Sequence, residues 1–274
     1  MKPHSSGHFW IRVGLRGNNP PMAFKRIAAP LLIVMVWQGL SSLDLIPAYK
    51  LPSPLSVLFS IGDLITSGMP PGQRLHLHVF YSLQRVFYGY AAAVLLAVPL
   101  GILAGWHASL RHIVEPIVEL IRPIPPLAWI PIAILWFGIG SGSAAFIIFL
   151  GSFFPILLTT ISGVHAIDPI LIDAARTLNA TNRQILLKVL MPGAIPAIFT
   201  GLRVGMGIGW MTLVAAEFTG VKQGYGLGQM IMTARDLQRP DAIVAGMLII
   251  GMIGSGIDRV FYLIRNRLIT WRSA

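Results

Sequence analysis

Most of the side chains that could do chemistry in this chain are isolated ionisable residues inside long apolar stretches. Ionisable side chains in a membrane-crossing segment are costly, and they usually face a protein interior or a water-filled cavity. Proline removes a backbone donor and breaks a helix, which frees carbonyl groups to line such a cavity. We therefore expect a polar pathway through a membrane. The residues expected to line it are Arg122, Pro123, Pro125, Arg203, Trp210 and Glu217.

The same residues also have structural interpretations. Arg122 could pair with Glu119, one helical turn earlier, and only fix its helix. Arg203 and Glu217 could each pair with a charge on a neighbouring subunit. Arg85 could extend towards the outer membrane surface. The glycines that follow Arg203 permit either close helix contact or exposure of the backbone to a ligand. These glycines are Gly205, Gly207 and Gly209.

Neither a catalytic group nor a metal site is predicted. The chain has no cysteine, which excludes a disulfide framework, a thiolate nucleophile and a cysteine-based metal site. The pairs His76/His78 and His107/His112 lack the four-residue spacing that places two ligands on one face of a helix. We therefore expect a chain that is not an enzyme and binds no cofactor of its own.

The composition indicates a lipid environment. Hydrophobic residues make up 55% of the 274 residues, charged residues only 11%, and the mean hydropathy is +0.72. Soluble domains carry about 25% charged residues. The net charge of +11 could suggest nucleic acid, but the basic residues lie at the ends of apolar segments, as in membrane proteins. The pattern favours an integral membrane protein that contacts lipid and no nucleic acid.

The apolar stretches predict an all-α bundle of about six crossing helices. A crossing helix needs about 20 residues, so the 45-residue run 123–167, which carries no Asp, Glu, Lys or Arg, must turn, and the glycines and serines of 138–143 mark the place. Only helices and closed barrels satisfy their backbone groups in lipid. The predicted spans are 26–45, 80–105, 113–137, 143–164, 194–218 and 242–264.

The basic residues predict the orientation. With the N-terminus inside, the inner segments contain thirteen lysines and arginines and the outer segments five, which favours both termini in the cytoplasm. Residues 1–25 then form a basic cytoplasmic tail, and 26–274 form one transmembrane domain. A secretory signal peptide is the alternative for residues 1–45, but no clear small-residue cleavage site follows the apolar run.

Two of the outer segments have distinct patterns. Ser53 and Pro54 suit the start of a helix and Gly68 suits its end, so a short helix is predicted along the outer interface. Its apolar residues are Leu55, Leu58, Ile61 and Ile65. The glycine-rich stretch TGVKQGYGLGQM is interpreted as a loop, and it lacks the residue order of a phosphate-binding loop.

A charged stretch, residues 168–192, lies between the fourth and fifth predicted spans. Asp168 is a good N-cap for a first helix, and Asn179 suits the left-handed residue that ends it. Thr181 and Gln184 fit a capping box that starts a second helix running to Pro192. The prediction is a pair of short helices, joined by a tight turn, with a small-residue face that another protein could approach closely.

This stretch resembles a motif of the membrane subunits of ABC importers, E-A-A-x3-G-x9-I-x-L-P. The matching positions are Asp173, Ala174, Ala175, Asn179, Val189, Met191 and Pro192. The chain departs from the motif in having Asp for Glu, Asn for Gly, Val for Ile and Met for Leu. The resemblance implies that residues 168–192 form a coupling segment that docks on a separate ATP-hydrolysing subunit.

Further stretches, among them LPSPLSV, RPIPPLAWIPIAILWFGIG and GLRVGMGIGWMTLVAAE, are similar to the nitrate/sulfonate/taurine-type permeases. That resemblance implies a type I importer fold in a bacterial or archaeal inner membrane. It also implies two permease copies, two ATPase subunits that bind ATP and magnesium, and an external substrate-binding protein.

The expected function is that of an ABC importer permease for a small solute, with an anion such as a sulfonate, nitrate or bicarbonate as the expected class. The alternative is a self-sufficient secondary transporter or channel. It predicts duplicated halves with broken helices in matching positions, and no such repeat is visible in the sequence.

Overall fold

The computed structural model describes residues 22–43, 45–70, 72–218 and 224–268, and most of these residues are in helices. Within these residues no β-strand occurs. Residues 1–21 of the predicted tail lie outside them. The helices are α1 (Met22–Ser42), α2 (Pro54–Thr66), α3 (Leu75–Trp106), α4 (Ala108–Ile121), α5 (Ile130–Phe137), α6 (Ser141–His165), α7 (Pro169–Thr177), α8 (Asn182–Ile185), α9 (Met191–Phe218), α10 (Leu227–Asp236) and α11 (Pro240–Leu268).

Four helices in the described part of the chain are long and apolar enough to cross a membrane: α3, α6, α11 and the continuous helix 182–218 that joins α8 to α9. A fifth crossing is broken, because α4 and the segment Pro126–Phe137 meet at an angle of 83°. The apolar part of α1, Ala28–Ser42, is shorter than a full crossing. The six predicted spans are therefore four unbroken helices, one broken pair and one short apolar helix.

Prolines explain the break in the third span. Prolines at 123, 125 and 126 cannot donate backbone hydrogen bonds, so α4 stops before them and a 3₁₀ turn, Pro126–Trp129, leads into α5. The predicted turn at 138–143 is confirmed. Gly138 has φ +72°, a left-handed conformation that glycine adopts without steric cost, and α6 starts three residues later.

Helices α3, α6 and α9 form the centre of the bundle, and glycines let α9 approach α6 closely. Gly205 faces α6 so tightly that a Cβ there would lie 2.7 Å from Ile156 Cγ1 and 2.9 Å from the Ser152 carbonyl oxygen. Gly201 and Gly209, one turn away on either side, face the same helix. This spacing of small residues is typical of close helix packing in membranes. A Cβ on Gly207 would have no atom within 4 Å. Of the three predicted glycines, Gly205 and Gly209 therefore face α6, and Gly207 lies on an open face of α9.

Helices α2 and α10 lie together at one end of the bundle, and we call them the cap. The predicted start of α2 is confirmed, because the Ser53 hydroxyl accepts a hydrogen bond from the Ser56 amide at 3.0 Å. Arg239 joins the cap to α11, with Nη1 donating to Asp63 Oδ2 and Nη2 to Asp241 Oδ2, both at 2.9 Å. The Arg239 guanidinium holds the pKa of the Asp63 carboxyl below its ordinary value. Helix α2 is thereby fixed to the start of α11.

The two faces of α2 differ in burial. Val57 and Leu64 are buried against the bundle, whereas Leu55, Leu58 and Ile65 are exposed, as a helix lying along a lipid interface requires.

Helix α10 corrects one sequence interpretation. The glycine-rich stretch was interpreted as a loop, but helix begins at Leu227 inside it. Residues 219–223 of that stretch lie outside the described part of the chain. The buried residues of α10 include Leu227, Met230, Ile231 and Ala234, which recur at helical spacing. That pattern was the available signal, and the neighbouring glycines at 226 and 228 obscured it.

Candidate functional site

The coupling segment has the two helices and the turn that the sequence predicts. Asp168 Oδ1 accepts a hydrogen bond from the Ile170 amide at 2.9 Å, which caps α7. Asn179 has φ +54°, the left-handed conformation that ends the first helix. Thr181 and Gln184 form the predicted capping box, with the Thr181 amide donating to Gln184 Oε1 at 2.8 Å. Local hydrogen bonds therefore fix the shape of the turn.

The second helix does not end at Pro192, which corrects the prediction. It continues through a π turn, Leu186–Leu190, into α9, and the Met191 amide donates to the carbonyl five residues earlier, at Leu186. Pro192 has no backbone N–H. The wider turn directly before it lets the helix pass the missing donor without a break. Residues 182–218 thus form one continuous helix from the coupling segment into the membrane bundle.

Helix α7 has one face against the bundle and one exposed apolar face. Ile172 and Ala175 pack against a cluster that contains Ile185 and Leu190, so Ala175 is half-buried rather than part of an open small-residue face. Ala174 is exposed. The exposed apolar face of α7 consists of Ile170, Leu171, Ala174 and Leu178. An exposed apolar patch of this kind marks a contact with another protein or with the membrane.

The other motif residues have separate roles. Asp173 is exposed and lies 3.5 Å from Arg176, a surface pair of little energetic weight. Val189 packs into the cluster beneath α7, while Met191 and Pro192 are exposed at the start of α9. The motif therefore combines residues that shape the segment with residues that could touch a partner.

A cavity of about 770 Å³ lies between the break in the third span and the packed helices α6 and α9. Arg122 is its only ionisable lining residue among the described residues. The rest of the lining is Ile124, Pro126, Leu150, Gly151, Phe154, Pro155, Leu158, Thr159, Ser162, Gly163, Ala166, Ala197, Thr200 and Ile208. Pro123 and Pro125 are exposed in the connection beside Arg122 but do not line the cavity.

Arg122 supplies the strongest donor in this cavity. The Thr159 and Thr200 hydroxyls donate to the carbonyls of Pro155 and Pro196 at 2.6 Å and 2.9 Å, so their hydrogens are already committed. In the described part of the chain Arg122 forms no ion pair, and the alternative pairing with Glu119 is not formed. A guanidinium with free donors can bind an anion through two hydrogen bonds.

Arg203 is paired within its own chain. Its Nε and Nη2 donate to the two carboxylate oxygens of Asp258 at 2.6 Å and 2.8 Å, joining α9 to α11. Both side chains remain partly exposed and line a second cavity of about 320 Å³. The partner of Arg203 is therefore in the same chain, whereas the sequence left open a partner on a neighbouring subunit.

Trp210 and Glu217 are buried away from both cavities. Trp210 is 7% exposed and its Nε1 donates to the Ile250 carbonyl at 3.3 Å, so it packs against α11. Glu217 is fully buried and forms an ion pair with Arg85 at 2.6 Å. Arg85 is 1% exposed, which corrects the expectation that it extends towards the membrane surface. Sequence reasoning missed this pair because its members lie 132 residues apart.

No group of three or more histidine and acidic side chains that could hold a metal ion occurs in the part of the chain that the structure describes.

Comparisons with known proteins identify the family to which this helical bundle belongs. Residues 97–270 match the family described as the inner membrane component of binding-protein-dependent transport systems. The taurine transport system permease protein TauC of Escherichia coli is 38% identical, over 88% of this chain and 86% of TauC. The nitrate import permease protein NrtB of Synechocystis is 32% identical, over 87% of this chain and 86% of NrtB.

Among solved structures, the fold is similar to a chain of the methionine ABC transporter MetNI in an inward-facing conformation. The TM-score is 0.54 and the sequence identity 24%, with 67% of this chain and 94% of the MetNI chain covered. This likeness supports a type I importer fold. The family match covers more than half of the chain, and both relatives cover most of it. The chain therefore belongs to the inner-membrane components of binding-protein-dependent transport systems, as an ABC importer permease of the nitrate, sulfonate and taurine type.

Proposed function

We propose that this permease passes a small anion across the inner membrane of a bacterium or archaeon, driven by ATP hydrolysis in separate subunits. The carrying observation is the exposed apolar face of α7, which the continuous helix 182–218 connects to the wall of the larger cavity. A force applied to α7 reaches the cavity wall through the turn at residues 178–181 and this one helix.

The ATPase partners dock on the coupling segment. The exposed face of α7 is apolar at its centre, and Asp173 and Arg176 lie exposed beside it, so a groove with an apolar floor and polar rim would fit. ATP and magnesium bind to these partners and not to the permease. Two permease copies with two ATPase subunits form the complex.

The external binding protein docks at the opposite end, on the cap. Successive crossings alternate in direction, so α2 and α10 lie on one side of the membrane and α7 and α8 on the other. With the coupling segment in the cytoplasm and α1 as the first crossing, both termini are cytoplasmic and the cap faces outwards. This orientation agrees with the excess of basic residues in the inner segments.

The solute class follows from Arg122 and from the relatives. A single arginine with free donors in an otherwise apolar cavity favours a small anion. Relatives named for taurine and nitrate transport support the same class. We therefore propose a sulfonate such as taurine, nitrate or bicarbonate as the transported solute.

Reconstitution tests the function directly. The permease is placed in proteoliposomes with candidate ATPase and binding proteins from the same organism, and uptake of labelled taurine, nitrate and bicarbonate is measured. We expect uptake of one of these anions only when ATP and the binding protein are both present. Uptake by the permease alone, driven by an ion gradient, would instead identify a secondary transporter or channel.

Arg122 is expected to control the anion flux. Replacing it with alanine removes the charge-assisted bonds to the solute, worth about 1.5–3 kcal/mol, so uptake should fall about tenfold or more. Arg122→Lys should retain part of the rate because the charge remains. The control is Arg111→Ala. Arg111 lies on α4, pairs with Glu115 and does not line the cavity. Unchanged uptake in Arg122→Ala would assign Arg122 a purely structural role.

A further inference from the structure

A buried polar cluster at the cap end connects four helices and takes no part in the cavity beside Arg122. Arg85 of α3 lies at its centre, with Nη1 donating to Glu217 Oε1 at 2.6 Å and Nε to the Ser141 hydroxyl of α6 at 3.2 Å. Ser82, one turn before Arg85, donates to the same Glu217 oxygen at 2.8 Å. Both charged side chains are at most 1% exposed. A buried ion pair needs such additional hydrogen bonds to offset the loss of hydration.

The cluster also holds the start of α10. Glu217 Oε2 accepts a hydrogen bond from the Gly228 amide at 2.8 Å, and the Ser82 hydroxyl accepts one from the Leu227 amide at 2.8 Å. The first amides of a helix have no partner within the helix, and a negative charge there is favourable. Glu217, the penultimate residue of α9, therefore serves as the anchor of α10.

Two glycines make this anchor possible. A Cβ on Gly226 would lie 2.7 Å from Glu217 Cδ and 2.8 Å from Arg85 Nη1. A Cβ on Gly228 would lie 2.7 Å from the Val214 carbonyl oxygen and 2.9 Å from Glu217 Cβ. Any larger residue at either position would push α10 away from the carboxylate. We call Ser82, Arg85, Glu217, Gly226 and Gly228 the α10 anchor.

We infer that Glu217 is a positioning residue that links the cap to the coupling segment. The helix 182–218 has 37 residues and is about 55 Å long, so it reaches from α8 at one end to Glu217 at the other. A displacement of α9 therefore moves the start of α10 without passing through a loop. Binding at the cap reaches the ATPase side by the same route. This inference rests on the proposed function, in which those two ends meet the binding protein and the ATPase.

The test begins with Glu217→Gln, which preserves size but removes the charge and one acceptor oxygen. Hydrogen exchange of the Leu227 and Gly228 amides in the purified permease should accelerate about tenfold or more. In the assembled transporter, the ratio of binding-protein-stimulated to basal ATP hydrolysis should fall towards one. The binding protein is loaded with whichever of taurine, nitrate and bicarbonate is transported.

Gly228→Ala should also speed hydrogen exchange at the start of α10, without changing any charge. Its new Cβ displaces α10, while the Arg85–Glu217 pair is retained. Ser141→Ala is the matched control, since it removes a bond of Arg85 that does not touch α10. The control should leave exchange in α10 and the stimulation ratio close to wild type. A glutamine variant that fails to fold, judged by thermal unfolding in detergent, leaves Gly228→Ala to decide.

The outcomes separate the two proposals. Unchanged exchange in α10 in both variants overturns the anchor. Faster exchange with an unchanged stimulation ratio overturns the link to the ATPase side and leaves the proposed function intact. Absence of ATP hydrolysis in the wild-type assembly overturns the proposed function, while the exchange measurement still decides whether Glu217 anchors α10.

Discussion

Replacing Ala174 with tryptophan is expected to abolish ATP-driven uptake and to release the permease from its ATPase subunits. Ala174 is exposed at the centre of the apolar face of α7, between Ile170 and Leu178. A bulky ring there would hold the partner surface away from the whole face. Loss of a well-packed interface centre weakens binding by about 2–4 kcal/mol, which corresponds to a factor of roughly 30 to 1,000 in affinity.

Co-purification with the ATPase and uptake into proteoliposomes measure this effect. Ala174→Ser is the control, because a small side chain at the same position should preserve docking. Thermal unfolding of the tryptophan variant should match wild type, since the side chain points away from the bundle. Normal ATP-driven uptake in a correctly folded Ala174→Trp permease would contradict a docking role for α7.

Replacing Gly205 with leucine is expected to destabilise the bundle strongly. The Cβ alone would lie 2.9 Å from the Ser152 carbonyl oxygen, which belongs to the backbone of α6 and cannot move aside cheaply. Overpacking of this kind lowers the free energy of unfolding by roughly 3 kcal/mol. The Ser152 hydroxyl would also lose its hydrogen bond to the Gly205 carbonyl, now 3.0 Å long, as the helices separate.

The chain provides a matched control two residues away. Gly207 has no heavy atom within 4 Å of its ideal Cβ position outside its own helix, so Gly207→Leu should fold with wild-type stability. Unfolding of both variants by SDS in mixed micelles, followed by far-UV circular dichroism, compares them directly. Equal stability of the two variants would show that the contact between α6 and α9 does not depend on glycine.

The parts of the structure that depend on neighbouring residues were predictable from the sequence. The cap of α7 at Asp168, the left-handed Asn179 and the capping box of Thr181 with Gln184 each use hydrogen bonds within a few residues. The turn before α6 and the start of α2 follow the same rule. Such features are encoded by short patterns, so their positions agreed with the structure to within a residue or two.

The parts that depend on distant residues were not predictable. The pairs Arg85–Glu217 and Arg203–Asp258 join residues 132 and 55 positions apart, and nothing in the local sequence identifies the partner. The burial of Trp210 depends on how α9 and α11 pack. Hydropathy also could not show that α8 continues into α9, because a proline such as Pro192 often ends a helix, whereas here a π turn directly before it joins the two helices.

That π turn has a consequence for how this gene can change. It adds one residue to the helix, and each residue of an α-helix corresponds to a rotation of about 100°. Because the wider turn already accommodates one extra residue, deleting a single codon between Leu186 and Leu190 should convert it into an ordinary α turn and leave α7 close to its present orientation. Inserting one codon into the regular helix that follows should instead turn α7 by about 100° around the axis of α9. This stretch should therefore tolerate the loss of one residue better than the regular helix that follows it.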